Sequence, residues 1–247
     1  MSSIQLTDPA AGAFFAVPAA DWTAISKRVG LTRLAAGIAP IIGRYLRDFP
    51  KLEDACGVWA ASTFPGLVSL SQDIGSFAGQ AADSLGLLQD QLSQYGPGDT
   101  LSAATVAAVK AIFATLAGGT QRLNSQSGVL RQQVQTFATE NEVVDAQIGD
   151  YVKHLGPEWQ SLTSELPAVE TAAGLVEGAW GAIADDMNAI ATDSIPITTA
   201  LLVSLELQSA ALAWRNLGPE AAAFATLAQG QQQYLSGVWL ESGVRGQ

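Results

Sequence analysis

A chain of 247 residues is long enough for one sizeable hydrophobic core, and 48% of it is hydrophobic, but only 14% is charged, against ~25% in an average soluble domain. With 23 acidic and 12 basic residues the net charge is −11; binding along a phosphate backbone needs clustered Lys and Arg, none is read here, and nucleic acid is not expected as a partner. The only cysteine is Cys56 and the only histidine is His154, which excludes an intrachain disulfide, a paired-histidine zinc site and a paired Glu-x-x-His di-iron site.

Residues 1–21 read as an N-terminal extension. Asp8 appears early, and no basic residue precedes the apolar Phe14–Val17, so a Sec signal peptide is not expected. No stretch of ~20 residues is uniformly apolar, as a confident transmembrane helix requires. The first helical segment runs from Trp22 to about Asp48, with Leu31, Leu34, Ile38, Ile41 and Tyr45 at 3,4,3,4 spacing. Phe49-Pro50 ends it, because a residue before proline is pushed out of the α region.

The second segment, Lys51 to Tyr95, continues that spacing through Leu67, Leu70, Ile74, Phe77, Ala81, Ser84 and Leu88, with Pro65 expected to kink or divide it. It stops at Gly96-Pro97-Gly98, and Asp99 or Thr100 is the expected N-cap of the next helix. In the third segment, Leu101 to Leu155, Leu116, Leu123, Leu130, Phe137, Val144 and Tyr151 recur every seven residues. A companion row holds Phe113, Thr120, Ser127, Val134, Asn141, Ile148 and Leu155. A heptad kept this long predicts a helix of roughly 80 Å whose seam faces another helix throughout. Gly118-Gly119 is its expected break, and the three polar residues predict a seam that fixes register or tolerates rearrangement.

Gly156-Pro157 turns the chain into a fourth segment ending near Ile195. Its row is Trp159, Leu162, Leu166, Val169, Ala173, Val176, Trp180, Ile183, Met187 and Ile190, and Pro167 is expected to bend it near its start. Two long helices joined by so short a turn pack antiparallel. The fifth segment, Pro196 to about Leu240, is expected to break at Gly218-Pro219 and to resume with Phe224, Leu227 and Tyr234. The fold class is therefore all-α: one elongated domain over residues 1–247, a bundle of about five helices including two long antiparallel ones with heptad-like seams.

Enzyme chemistry is not expected, and no cofactor or metal is called for. Asp150 and His154 read as an exposed helix-face pair. Asp185 and Asp186 diverge by about 100° on a helix and form no dyad. Glu140, Glu142, Asp145 and Asp150 read as a solvated acidic patch, and Cys56 as a buried structural thiol. Trp59, Trp159 and Trp180 fall at or near seam positions; for Trp214 and Trp239 interfacial anchoring is the rival to core packing. The best candidate for conditional membrane or partner contact is Leu101–Gly119, with Leu101, Val106, Val109, Ile112, Phe113 and Leu116 as its apolar residues and Lys110 as its one charge. Gly96, Gly98, Gly118 and Gly119 bound it as hinges.

Three features between Val106 and Phe224 resemble the α-helical pore-forming toxins of the cytolysin A superfamily, which includes tripartite haemolysins and xenorhabdolysin-like binary toxins. They are the long seam closing on Val134, Phe137 and Asp145, the return helix with Glu177-Gly178-Ala179-Trp180-Gly181-Ala182-Ile183 and Asp186, and the element Ala213-Trp214-Arg215-Asn216-Leu217. The resemblance covers about half the chain. It implies a subunit that is water-soluble before assembly, is secreted without a Sec signal, and oligomerises at a target-cell lipid membrane with related helical subunits or with itself. Members that penetrate bilayers carry a strongly hydrophobic tongue between two long helices, whereas the turn here, Asp150 to Gln160, is polar. Either Leu101–Gly119 takes the tongue's place, or the chain is a less hydrophobic partner subunit of a multi-component toxin. The alternative is a non-toxic helical scaffold, adaptor or lipid-surface-binding protein, which would be cytoplasmic.

Overall fold

The computed structural model of the chain describes residues 4–96, 98–148, 162–192 and 194–236. They form α1 (Ala19–Leu34), α2 (Ala39–Ile42), α3 (Phe49–Val58), α4 (Phe64–Leu92), α5 (Ala103–Ile148), α6 (Glu165–Ala191), α7 (Thr199–Ser204) and α8 (Leu207–Leu235), with no strand among the described residues. The fold is all-α. Leu155, Tyr151, the Asp150–Gln160 turn with Gly156-Pro157, His154 and Trp159, and also Pro97 and Trp239, lie outside the described residues.

The heptad rows of α5 decide its packing. Leu116, Leu123, Leu130, Phe137 and Val144 are buried, and so are Phe113, Thr120, Ser127, Val134, Asn141 and Ile148. The row of α6 is buried from Leu166 through Ile190, and Leu162 just ahead of it is buried too. The two helices are neighbours and antiparallel: Asp145 accepts a hydrogen bond from Leu162 N–H (3.3 Å), and built Cβ atoms on Gly174, Gly128 and Gly181 would meet Arg131, Glu177 and Asn124 in turn.

The chain divides into two compact units. The first takes residues 1–15, 70–128 and 175–223. At its centre Trp180 stacks on Trp214 (centroids 5.6 Å apart, 27° between planes), and the Phe77 ring stands edge-on to both at 5.7 and 5.3 Å. Leu6, Ala11 and Phe14 of the N-terminal stretch are buried in it, and Gln5 N–H donates to the Asp186 carboxylate at 2.7 Å. The second unit takes residues 16–69, 129–174 and 224–247. Trp22 meets Phe64 and Phe224 edge-on, and Trp59 lies tilted against Phe137 at 4.5 Å.

Punctuation differs from expectation at five places. The first segment is not one helix: α1 ends at Leu34, a 3₁₀ turn follows over Ala35–Ile38, and Pro40 sits in the first turn of α2. Its buried face is Trp22, Ile25, Val29 and Thr32 rather than the row from Leu31, which is half-buried, to Leu34, Ile38, Ile41 and Tyr45, which are exposed. A 3.6-residue period carries no information across such a break. Pro65 does not divide the second segment; a π-helical turn, Trp59–Thr63, absorbs the missing donor and joins α3 to α4. Gly118-Gly119 does not interrupt α5. Pro167 lies in the first turn of α6, where a helix N–H has no partner in any case, so it starts that helix rather than bending it. Gly218-Pro219 does not break α8 either; Trp214 before it and Ala221 and Phe224 after it are all buried and hold the helix on course. The break falls instead at Glu206, whose φ of 47° is left-handed.

Candidate membrane-interaction segment

The segment Leu101–Gly119 opens on a constructed turn. Gly98 has φ +88°, which favours glycine, and the Asp99 carboxylate accepts from Gly96 N–H at 2.6 Å. The N-cap of α5 is Ser102, not Asp99 or Thr100: its hydroxyl oxygen accepts from Thr105 N–H at 3.0 Å, satisfying an otherwise orphaned donor. Tyr95 and Thr105 hydroxyls pair at 2.8 Å and tie the turn to the helix.

Within α5, Val109, Phe113 and Leu116 are buried, while Val106 and Ile112, and Leu101 just ahead of the helix, are half-buried. The opposite face is alanine-rich and exposed, at Ala103, Ala104, Ala107, Ala111 and Ala114. An 18-residue window of this helix has a mean hydropathy of 1.4 and is only 28% buried. The candidate residues thus split between a core row and an apolar flank that solvent reaches. The hinges split as well. Gly96 and Gly98 form the turn, but Gly118 and Gly119 are helical, and Gly119 lies so close to Phe77 that an added Cβ would run into its ring. Glycine at 119 permits that close approach.

Two of the three polar residues of the seam are handled locally. Thr120 donates to the carbonyls of Leu116 (3.2 Å) and Ala117 (2.9 Å), and Ser127 to that of Leu123 (2.8 Å). Both hydroxyls are therefore satisfied on α5 itself, whichever surface packs over them.

Asp145 leaves the expected acidic patch. Its carboxylate receives the guanidinium of fully buried Arg28 at 2.8 Å, the Asn141 side-chain amide at 2.9 Å and Leu162 N–H. Sequence reading missed this pair because 117 positions separate its members. Glu142 and Asp185 are exposed and Glu140 half-buried, while Asp150 and His154 lie outside the described residues. Trp214 is core, not an interfacial anchor. Among the described residues, no cluster of three or more His, Cys, Asp or Glu converges as metal ligands would.

Cys56 is fully buried, and burial pushes its thiol up to about 12. At pH 8 its thiolate fraction is then about one in ten thousand, against roughly a quarter for an ordinary cysteine. Alkylation by iodoacetamide should therefore be at least about 100-fold slower in native protein than in denaturant. Equal rates would place the thiol at the surface.

Sequence reading also missed a concentration of positive charge. Lys27, Arg28, Arg33, Arg44, Arg47 and Lys51 make up six of the twelve basic residues, and only Asp48 opposes them between positions 27 and 51. A charge count in a 25-residue window finds it, and the absence of a Lys and Arg cluster is corrected accordingly. No known protein family's sequence profile matches the chain, and no curated protein matches it.

Proposed function

We propose that the protein is a subunit of an α-helical pore-forming toxin, water-soluble before assembly, which oligomerises at a target membrane with related helical subunits or further copies of itself. The observation that carries this reading is the start of α5, apolar along a bilayer-scale window yet only 28% buried. Its exposed face is alanine-rich, where an ordinary surface helix carries charged and polar residues. Two further features favour a packing that can be exchanged. The seam hydroxyls of Thr120 and Ser127 are satisfied on their own helix and lose nothing when its neighbours change. The indole N–H groups of Trp22, Trp59, Trp180 and Trp214 are buried without a protein acceptor, each at a cost of about 1–3 kcal/mol, which narrows the gap to an alternative packing. In this reading α5 moves as one helix about Gly96–Gly98, because it runs unbroken through Gly118-Gly119.

The test is dye release from liposomes, with the protein alone and with neighbour-encoded helical proteins. Ile112 is half-buried, so Ile112→Asp should fold with an unchanged helical circular-dichroism spectrum and lose at least about tenfold in release rate, since a carboxylate at a bilayer centre costs roughly 2.5–3.5 kcal/mol. Phe113 is fully buried and unsuited to the same purpose. Absence of release from the wild type under every combination excludes the toxin and leaves the helical scaffold.

A further inference from the structure

The row Leu34, Ile38, Ile41 and Tyr45 has the spacing of a core face and is nevertheless 53%, 53%, 58% and 68% exposed. It lies in the second unit, on the end of α1, the 3₁₀ turn, α2 and the turn after it. Arg33, Arg44, Arg47 and Lys51 are exposed along the same stretch, as is Pro40. Asp48 is the one carboxylate among them; it is largely buried, bonded by Lys51 at 2.9 Å and by the Gln147 amide, and lies 3.7 Å from Arg47. Lys51 holds its proton more firmly than an ordinary lysine, above all through that bond to Asp48. Glu53 and Asp54 follow on α3 and Glu140 lies near Lys51, but none falls between Arg33 and Arg47. A chain of net charge −11 thus presents one surface stretch that is both cationic and aliphatic.

We infer that residues 33–51 form a docking surface for an anionic lipid bilayer, with Leu34, Ile38 and Ile41 entering the headgroup layer and Arg44 and Arg47 pairing with lipid phosphates. The chemistry selects this occupant. An anionic bilayer complements the charge and accepts exposed aliphatic and aromatic side chains at its boundary. A second copy meeting the same patch about a two-fold axis sets arginines against arginines. A nucleic-acid backbone complements the charge but gives Leu34, Ile38 and Ile41 nothing to bury against. The inference is separate from pore formation: it concerns attachment, which a non-lytic lipid-binding protein also needs.

The experiment is co-sedimentation of the full chain with vesicles of phosphatidylcholine alone or with about 30% phosphatidylglycerol, an anionic lipid, alongside dye release. Wild type should bind the mixed vesicles, bind pure phosphatidylcholine at least tenfold more weakly, and lose affinity as salt rises. Arg44→Gln/Arg47→Gln should bind about 30-fold more weakly, roughly fivefold for each charge near the surface. Ile38→Ser/Ile41→Ser should also weaken binding, and because all four side chains are exposed or on turns, circular dichroism should be unchanged. Ile112→Asp should still bind, which separates attachment from insertion. Equal binding to both vesicle types, or full binding by both double variants, overturns the inference. So does self-association of the wild type that Ile38→Ser/Ile41→Ser abolishes, or preference for a duplex oligonucleotide over vesicles, since each names a different occupant.

Discussion

Asp145→Ala should lower stability by about 3–5 kcal/mol, the cost of stripping a partner from a buried charge. Arg28 is completely buried and its guanidinium meets the Asp145 carboxylate at 2.8 Å. The same carboxylate receives Asn141 and Leu162 N–H, so its loss leaves three donors short. Arg28→Met alone should be costly for the converse reason. Arg28→Met combined with Asp145→Leu should recover most of the loss, because a matched apolar pair no longer carries the desolvation of two ions. Denaturation midpoints of the wild type, Arg28→Met, Asp145→Leu and the double variant form a double-mutant cycle. A single-variant loss below about 1 kcal/mol, or simple additivity, would mean that the pair is solvated and unimportant.

Where one periodic pattern extends over an unbroken helix, sequence alone locates the buried residues. Every described position in both rows of α5 and in the row of α6 is buried, since a heptad kept for about ten turns has only one face to hide. Local breaks were less legible because the same residues, Gly and Pro, serve opposite purposes. Pro65 is accommodated by a π turn and Pro167 starts a helix, and neither outcome is written in the residue itself. The row from Leu34 to Tyr45 shows the reverse failure. It matches the template of a core face, but Pro40 and the 3₁₀ turn disconnect it, and the competing row from Trp22 to Thr32 takes the interior. At the candidate segment, the sequence located the apolar stretch and the glycine turn ahead of it. Which of its residues solvent reaches depends on neighbours that no local pattern specifies.

Gly118 and Gly119 should respond to substitution with opposite signs. Both occupy the interior of α5, where alanine is favoured over glycine by about 0.8–1 kcal/mol. A Cβ on Gly118 meets nothing within 4 Å, so Gly118→Ala should stabilise by up to about that amount. A Cβ on Gly119 would collide with the Phe77 ring, and that ring cannot step aside because Trp180 and Trp214 hold it at 5.7 and 5.3 Å. Gly119→Val should therefore destabilise by about 3 kcal/mol, the upper end of overpacking. Phe77→Ala in the same chain should relieve part of it, although a Phe-to-Ala change in a core costs about 3–5 kcal/mol by itself. Thermal or chemical denaturation of the single and double variants reads the signs directly. If the two glycines instead formed a hinge, both substitutions would act alike, stiffening the helix and suppressing dye release. If Gly119→Val proves as stabilising as Gly118→Ala, Phe77 does not press on α5, and the motion proposed for α5 shifts from the Gly96–Gly98 turn to this pair.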